Sequence, residues 1–89
     1  MQERTVTIIN KLGLHARAAS KFVNLAKRYA SKIQVVSAAK TVDGKSIMSI
    51  MLLAASQGTD IGLRIDGDDE IDAMQAIADL IADRFGEGE

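Results

Sequence analysis

His15 is the residue of this chain best suited to group-transfer chemistry, and it is the only histidine in the sequence. A neutral imidazole is a good nucleophile for a phosphoryl donor. Gly13 permits a tight turn just before it, and the guanidinium of Arg17 can bind phosphate oxygens just after it. Residues 10–20 are therefore the candidate site, although a lone histidine with no chemical role is the simpler alternative.

A helix is predicted to begin directly after His15, because apolar residues recur at helical spacing over residues 16–29. The amides of Ala16, Arg17 and Ala18 would then be free to hold a phosphate on His15. The positive end of the helix also opposes an imidazolium and so favours the neutral, nucleophilic ring. With no second histidine, no cysteine and no Walker-type loop, we expect no metal, no cofactor and no nucleotide hydrolysis.

The charges are divided unevenly along the chain. Residues 1–59 contain nine basic and two acidic residues, whereas residues 60–89 contain two basic and ten acidic residues. On the helix after His15, the polar side is predicted to be basic: Arg17, Ser20, Lys21, Asn24 and Arg28, with Lys27 at its edge. Such a face either serves solubility or meets an acidic partner protein.

Alternating and helical patterns predict the remaining elements. Strands are predicted at residues 5–9, 32–36, 40–42 and 60–66. The final helix would be capped by Asp68 or Asp69, and Gly86 to Glu89 would be a frayed tail. The expected buried stripe of that helix comprises Ile71, Met74, Ile77, Ala78, Ile81 and Phe85. The order βαββαβα predicts an α+β open-faced β-sandwich, with a four-stranded antiparallel sheet and helices packed on one face.

Residues 46–55 are apolar enough to form either a buried strand or a short helix. Ser46 is a good N-cap and Gly58 a plausible stop, which favours the helix. The apolar side chains of this helix are either all buried or partly exposed as a docking patch, since methionine-rich surfaces adapt to several partners. The patch would consist of Ile47, Met48, Met51 and Leu52.

The chain length of 89 residues predicts one domain spanning residues 1–89. No apolar run approaches the length of a membrane-spanning helix, and the N-terminus lacks the apolar core of a signal peptide. We therefore expect a soluble cytoplasmic protein that is a monomer and is not inserted in a membrane.

Two motifs carry a resemblance to a known family. Residues 10–17 read Asn-Lys-Leu-Gly-Leu-His-Ala-Arg, and residues 44–53 read Gly-Lys-Ser-Ile-Met-Ser-Ile-Met-Leu-Leu. At this spacing they resemble HPr, the histidine-containing phosphocarrier of the bacterial phosphoenolpyruvate-dependent phosphotransferase system, over essentially the whole chain. The resemblance implies that His15 accepts phosphate at Nδ1 from phosphorylated enzyme I and passes it to enzyme IIA domains for sugar uptake. The protein itself would not be an enzyme.

The resemblance also implies further roles. Arg17 matches the family's phosphate-site arginine, and Ser46 matches its regulatory serine, which HPr kinase/phosphorylase would phosphorylate; the capping role of Ser46 is compatible with this. The expected docking residues are Ser20, Lys21, Asn24, Lys27, Lys45, Ile47, Met48, Met51 and Leu52. Ala18 departs from the usual family proline, so a slightly looser helix start is expected. The turn at Ala38 and Ala39 is a second, milder departure.

Other functions compete with that of a sugar-branch phosphocarrier. An NPr-type regulatory carrier of the nitrogen-related branch would use the same histidine chemistry. A small ligand-binding or RNA-binding module fits the element order, but all three aromatic residues fall on predicted inner helix faces, which leaves no stacking platform and argues against nucleic acid. An autonomous enzyme would need a second catalytic group near His15, where the sequence supplies only Arg17, Ser20 and Lys21.

Overall fold

Residues 1–88 are described by a computed structural model. Its strands are β1 (Gln2–Thr7), β2 (Lys32–Ser37), β3 (Lys40–Asp43) and β4 (Asp60–Asp66). Its helices are α1 (Ala16–Ala26), α2 (Ile47–Leu52) and α3 (Glu70–Ala82), followed by a 3-10 turn at Arg84–Gly86.

The four strands form one antiparallel sheet in the order β1-β4-β2-β3. The central strand β4 alternates as predicted, with Ile61, Leu63 and Ile65 almost fully buried. The register places Ile65 opposite Ile33 of β2, while Val6 of β1 lies opposite Ile61. The α+β open-faced sandwich with a four-stranded antiparallel sheet is confirmed.

The core lies between the sheet and the helices. Phe22 and Val23 of α1 and Ile77 of α3 are fully buried, as is Ile50 of α2. Burial of one such side chain contributes about 1.5–3 kcal/mol, so aliphatic packing stabilises a chain that has no cysteine. This core fixes the start of α1, where His15 lies.

Several element boundaries differ from the prediction, and β1 begins at Gln2 rather than at residue 5. β1 ends at Thr7 because Thr7 pairs with Asp60, the first residue of β4, although Ile8 beyond it is fully buried. α1 ends at Ala26, since the amides that follow that of Lys27 bond three rather than four residues back, as in Arg28 N to Leu25 O at 3.0 Å. Lys27 is therefore the C-cap of α1.

The predicted stop of α2 at Gly58 was wrong. The helix ends at Leu52 with Leu53 as its C-cap, and Ala54 turns the chain with a left-handed φ of 49°. The hairpin between β2 and β3 does turn at Ala38, also in a left-handed conformation with a φ of 52°. Alanine adopts such an angle at a cost of roughly 1–2 kcal/mol, which the flanking β2–β3 pairing must offset.

The expected stripe of α3 was wrong at its first position, because Ile71 is 68% exposed. Phe85 is buried but lies in the 3-10 turn rather than on the helix. The prediction of a frayed tail was also wrong for Gly86 and Glu87, since Gly86 belongs to the turn and the Glu87 side chain packs on the loop before α1. Glu89, predicted as part of that tail, lies outside the described residues.

Candidate functional site

A tight loop delivers His15 to the start of α1. Gly13 has a left-handed φ of 66°, and a Cβ there would lie 2.5 Å from the carbonyl oxygen of Ala55. Residue 13 must therefore lack a side chain, as the sequence predicted. The next residue, Leu14, is buried, and its amide donates to the same Ala55 carbonyl at 2.9 Å. These contacts fix the backbone on the N-terminal side of His15.

His15 is the N-cap residue of α1, with an extended backbone. Its carbonyl accepts the first helical hydrogen bond, from the amide of Ala19 at 2.9 Å, but its side chain caps nothing. The following amides, of Ala16, Arg17 and Ala18, have no intrahelical acceptors by helix geometry. The helix start therefore presents free donors and a positive dipole end to the imidazole.

Ala18 is fully buried within this first turn. The helix begins at Ala16, so the chain forms the turn without the proline that the family usually places there. Alanine has the highest intrinsic helix propensity, which is consistent with this start.

The imidazole opens into a surface cleft of about 580 Å³, and the ring side chain is 29% exposed. Arg17 and Lys11 place two cationic side chains around the cleft, which suits an anionic ligand. The lining residues are Lys11, Leu12, His15, Ala16, Arg17, Gly86 and Glu87.

One ring nitrogen of His15 is occupied by Glu87. The Nε2 atom is hydrogen-bonded to Oε2 of Glu87, and the other carboxylate oxygen accepts from Nδ2 of Asn10 at 3.0 Å. Among residues 1–88, nothing is hydrogen-bonded to Nδ1 of His15. Nδ1 is thus the ring nitrogen available to a phosphoryl donor.

The Glu87 carboxyl is 10% exposed, and its environment favours the charged form. Burial raises the pKa of this carboxyl, but hydrogen bonds from Asn10 and His15 and the charge of Lys21 outweigh burial. The net effect lowers the pKa of Glu87 below its ordinary value of 4.5. The site therefore holds a carboxylate near neutral pH.

Three residues of the candidate site were given no role there by the sequence analysis: Glu87, Asn10 and Leu12. Glu87 lies 72 residues from His15 along the chain, and an acidic residue between glycines resembles an ordinary tail. Asn10 is fully buried, and its position before a glycine turn indicated a loop rather than a contact with Glu87. Leu12 is 68% exposed beside the cleft.

The predicted basic face of α1 is largely exposed. Arg17, Lys21, Asn24 and Lys27 are open to solvent, whereas Ser20 is half-buried. The Lys21 ammonium donates to the carbonyl of Phe85 at 2.6 Å, so this cation also ties α1 to the C-terminal turn.

The predicted apolar patch on α2 is exposed rather than buried. The exposed fractions are 38% for Ile47, 71% for Met48, 40% for Met51 and 65% for Leu52. Ile50, on the inner side, is fully buried and anchors the helix to the core. An exposed apolar cluster of this kind is typical of a protein-docking surface.

Ser46 and Lys45 precede this patch. Ser46 is the N-cap of α2, and its Oγ accepts from the amide of Ser49 at 3.3 Å, as the sequence predicted. Lys45, predicted as a docking residue, is half-buried, and its ammonium donates to the carbonyl of Tyr29 at 2.7 Å.

Comparison with known proteins gives one consistent result. The family model PTS-HPr, described as the "PTS HPr component phosphorylation site", matches residues 2–83. The chain belongs to the HPr family. It is 52% identical to the phosphocarrier protein HPr of Cupriavidus necator, with both chains covered in full.

Solved structures agree with this assignment. A crystal structure of HPr from Thermoanaerobacter tengcongensis superposes with a TM-score of 0.95 at 49% identity, covering 98% of each chain. An HPr dimer from the same organism gives a TM-score of 0.79, with 98% of this chain and 100% of that chain covered. As an HPr-family member, the chain is a phosphocarrier of the phosphotransferase system.

Among residues 1–88 there is neither a membrane-spanning helix nor a metal-binding cluster. Within residues 1–88, no helix is both long and apolar enough to cross a bilayer. Over the same residues, no group of three histidine, cysteine or acidic side chains is arranged to bind a metal ion.

Proposed function

We propose that the chain accepts a phosphoryl group on Nδ1 of His15 from phosphorylated enzyme I and donates it to enzyme IIA domains for sugar uptake. One observation carries the proposal. The His15 ring stands at the uncapped N-terminus of α1 with Nε2 occupied by Glu87, which leaves Nδ1 for the incoming phosphorus.

The surroundings support a bound phosphoryl group. The amides of Ala16, Arg17 and Ala18 supply donors and the positive end of the helix dipole. Arg17 lines the same cleft as His15, where its guanidinium can bind phosphate oxygens in pairs. These groups are exposed to solvent or belong to the backbone, so they stabilise a bound phosphoryl group only modestly. A carrier requires this, because it must release the group to the next protein.

Two surfaces would receive the partner proteins. The basic face of α1 suits acidic partners, and the α2 patch of Ile47, Met48, Met51 and Leu52 supplies apolar contact area. We propose the same two surfaces for enzyme I and for the IIA domains, because enzyme I must deliver the phosphoryl group to the one ring of His15 and a IIA domain must take it from the same ring.

Ser46 is the proposed control point, as a substrate of HPr kinase/phosphorylase. A phosphate on Ser46 would place about two negative charges beside the α2 patch. Like charges would then oppose docking to an acidic partner surface. We further propose that the chain is a single-domain cytoplasmic monomer that requires no cofactor and has no catalytic activity without its partner enzymes.

The test is phosphorylation with purified enzyme I and phosphoenolpyruvate, followed by intact mass measurement. We expect one acid-labile phosphate on the parent protein and none on His15→Ala. An Arg17→Ala variant should still accept the group, but more slowly. A parent protein that gains no phosphate would contradict the carrier proposal, and comparing IIA acceptors would distinguish the sugar branch from the nitrogen-related branch.

A further inference from the structure

The C-terminal turn is built to bring Glu87 to His15. Arg84 and Phe85 both adopt left-handed backbone angles, with φ values of 55° and 54°, and these reverse the chain after α3. Two anchors hold the reversal, since the Phe85 ring is fully buried and its carbonyl accepts from the ammonium of Lys21. Left-handed angles at non-glycine residues persist only where surrounding contacts enforce them.

Asn10 fixes the Glu87 carboxylate against the loop that carries His15. Its Nδ2 donates both to Oε1 of Glu87 at 3.0 Å and to the carbonyl of Gly13 at 2.8 Å. Its Oδ1 is buried and has no partner among the described residues. An asparagine that uses both donors and leaves its acceptor unsatisfied is oriented for donation, at a cost of roughly 1–3 kcal/mol.

From these contacts we propose that Glu87 is a positioning residue that keeps a proton on Nε2 of His15 throughout phosphoryl transfer; this inference rests on the proposed function. A carboxylate only accepts hydrogen bonds. The ring nitrogen that faces Glu87 must therefore carry hydrogen, and the lone pair lies on Nδ1. The arrangement follows the general rule that the partner of one imidazole nitrogen sets the role of the other.

The transfer step balances without any proton movement. When Nδ1 attacks phosphorus, the Nδ1–P bond forms, and the bond from phosphorus to the donor's leaving group breaks with its electron pair. The ring becomes positively charged, and the Glu87 carboxylate faces that charge at Nε2. In donation the Nδ1–P bond breaks, its electron pair returns to Nδ1, and a neutral imidazole with hydrogen on Nε2 leaves. Without that hydrogen the leaving group would be imidazolate, which is much poorer.

The cations around the His15 ring explain why the negative charge of the Glu87 carboxylate is important. Lys11 and Arg17 line the cleft, and the ammonium of Lys21 lies near the Glu87 carboxylate. All three cations and the N-terminus of α1 oppose a positive ring. Among residues 1–88, Glu87 is the one anionic residue that lines the cleft, so removing its charge leaves the imidazolium state unbalanced.

The decisive variant is Glu87→Gln, which keeps the shape and an acceptor for Asn10 but removes the charge. The measurement is the rate of phosphoryl donation from the phosphorylated carrier to a IIA domain between pH 6 and pH 9. We expect the alkaline limb of the profile to move to lower pH, with donation about tenfold slower above neutrality, because the phosphorylated ring loses its Nε2 hydrogen more readily when no carboxylate faces it. Asp83→Asn, which removes a charge from an exposed residue at the end of α3, should leave the profile unchanged.

A second measurement does not depend on phosphorylation. In ¹⁵N-labelled protein whose His15 ring is neutral, the parent should show hydrogen on Nε2 alone, and Glu87→Ala should show both tautomers. An unchanged donation profile in Glu87→Gln would overturn the inference, as would faster donation at every pH, which would make the contact inhibitory. Failure of the parent to accept phosphate would instead contradict the proposed function, whatever the tautomer.

Discussion

The starts of α1 and α2 look alike in the sequence but are built in opposite ways. Each helix begins with a candidate phosphorylation site at its N-cap, His15 for α1 and Ser46 for α2. The Ser46 hydroxyl already accepts from the amide of Ser49, whereas the His15 side chain caps nothing and is bonded instead to Glu87. A phosphate on His15 would therefore meet free donors, but one on Ser46 would have to replace an existing cap.

This difference fits the two proposed roles, phosphoryl transfer at His15 and regulation at Ser46. At α1 the donors are held ready, so a transferable group can arrive and leave without rearranging the backbone. At α2 the start is satisfied without phosphate, so a modification there adds charge to a surface that is already folded. We therefore expect damage to the α1 start to affect chemistry and stability together. At the α2 start, loss of the cap should affect stability alone, whereas an added negative charge should affect docking.

The largest effect is expected from Gly13→Ala. The new Cβ combines a left-handed φ of 66° with a 2.5 Å contact to the carbonyl oxygen of Ala55, and we expect a loss of roughly 2–4 kcal/mol in the free energy of unfolding. Gly58→Ala is the matched control, because its φ is 87° but nothing lies within 4 Å of the added carbon. The control should lose about 1 kcal/mol. Equal losses in urea denaturation would show that the Ala55 contact does not matter.

The next effect concerns the α2 patch. Met48→Asp places a charge on the exposed apolar surface and should slow phosphoryl transfer from enzyme I on the order of tenfold, by desolvation and repulsion at the interface. Ile71→Asp is the control, since Ile71 on α3 is exposed to almost the same extent, 68% against 71% for Met48. If both variants slow transfer equally in a rapid-quench assay, net charge rather than the patch is responsible.

Two variants of Ser46 distinguish its role as the N-cap of α2 from the effect of a negative charge at this position. Ser46→Ala loses the acceptor for the Ser49 amide and should lower the free energy of unfolding by about 1 kcal/mol, while accepting phosphate at the parent rate. Ser46→Asp retains a good N-cap, so its stability should stay close to the parent, but its charge should slow transfer. The regulatory assignment fails if Ser46→Asp is phosphorylated as fast as the parent.

The smallest effect is expected from a substitution at the start of α3. Asp69, at the N-cap position of α3, makes no cap with its side chain but accepts from the backbone amides of Ala30 and Ser31 and from the Ser31 hydroxyl. These bonds, led by that from the Ser31 hydroxyl, lower the pKa of Asp69 below its ordinary value of 3.8. The carboxylate therefore adds stability above that pH, and this stability is lost as the pH falls through the lowered pKa.

Asp69→Asn should accordingly be less stable than the parent at pH 7, and the difference should shrink as the pH falls below 3.8. Thermal unfolding followed by circular dichroism across this range measures the gap. Asp68→Asn, at the exposed neighbouring position, controls for the loss of one charge. A gap that is the same at every pH would mean that the shape of Asp69, not its charge, is what stabilises the turn.

The parts of the site that local chemistry dictates could be predicted from the sequence. Ser46 was predicted as a cap because a short hydroxyl side chain reaches its own helix backbone, and the strand β4 was predicted because its alternation is clean. Gly13 was predicted as a tight turn because a bare Cα is the usual requirement there. Such features depend on a few neighbouring residues.

Features that depend on distant packing could not be predicted in this way. Ile71 lies on the apolar side of α3, but angular position does not reveal whether another element covers that turn of the helix. Asp68 or Asp69 was predicted to cap α3, yet Asp69, which occupies the N-cap position, bonds with its side chain to the Ser31 turn instead. The position of Glu87 follows from left-handed angles at Arg84 and Phe85, which neither residue type favours and which only the folded core enforces.

The course of the C-terminus has a practical consequence for labelling. The backbone brings Glu87 beside the His15 ring, so a dye attached to a substituted residue 88 would lie next to the proposed phosphoryl site and the surface proposed for partner proteins. The N-terminal amine is instead paired with Glu70 at 3.0 Å, at the far end of β1, about 20 Å from the strand end that leads to His15. Probes meant to report on transfer without disturbing it should be attached at the N-terminus, and those meant to sense occupancy of the ring should be attached at position 88.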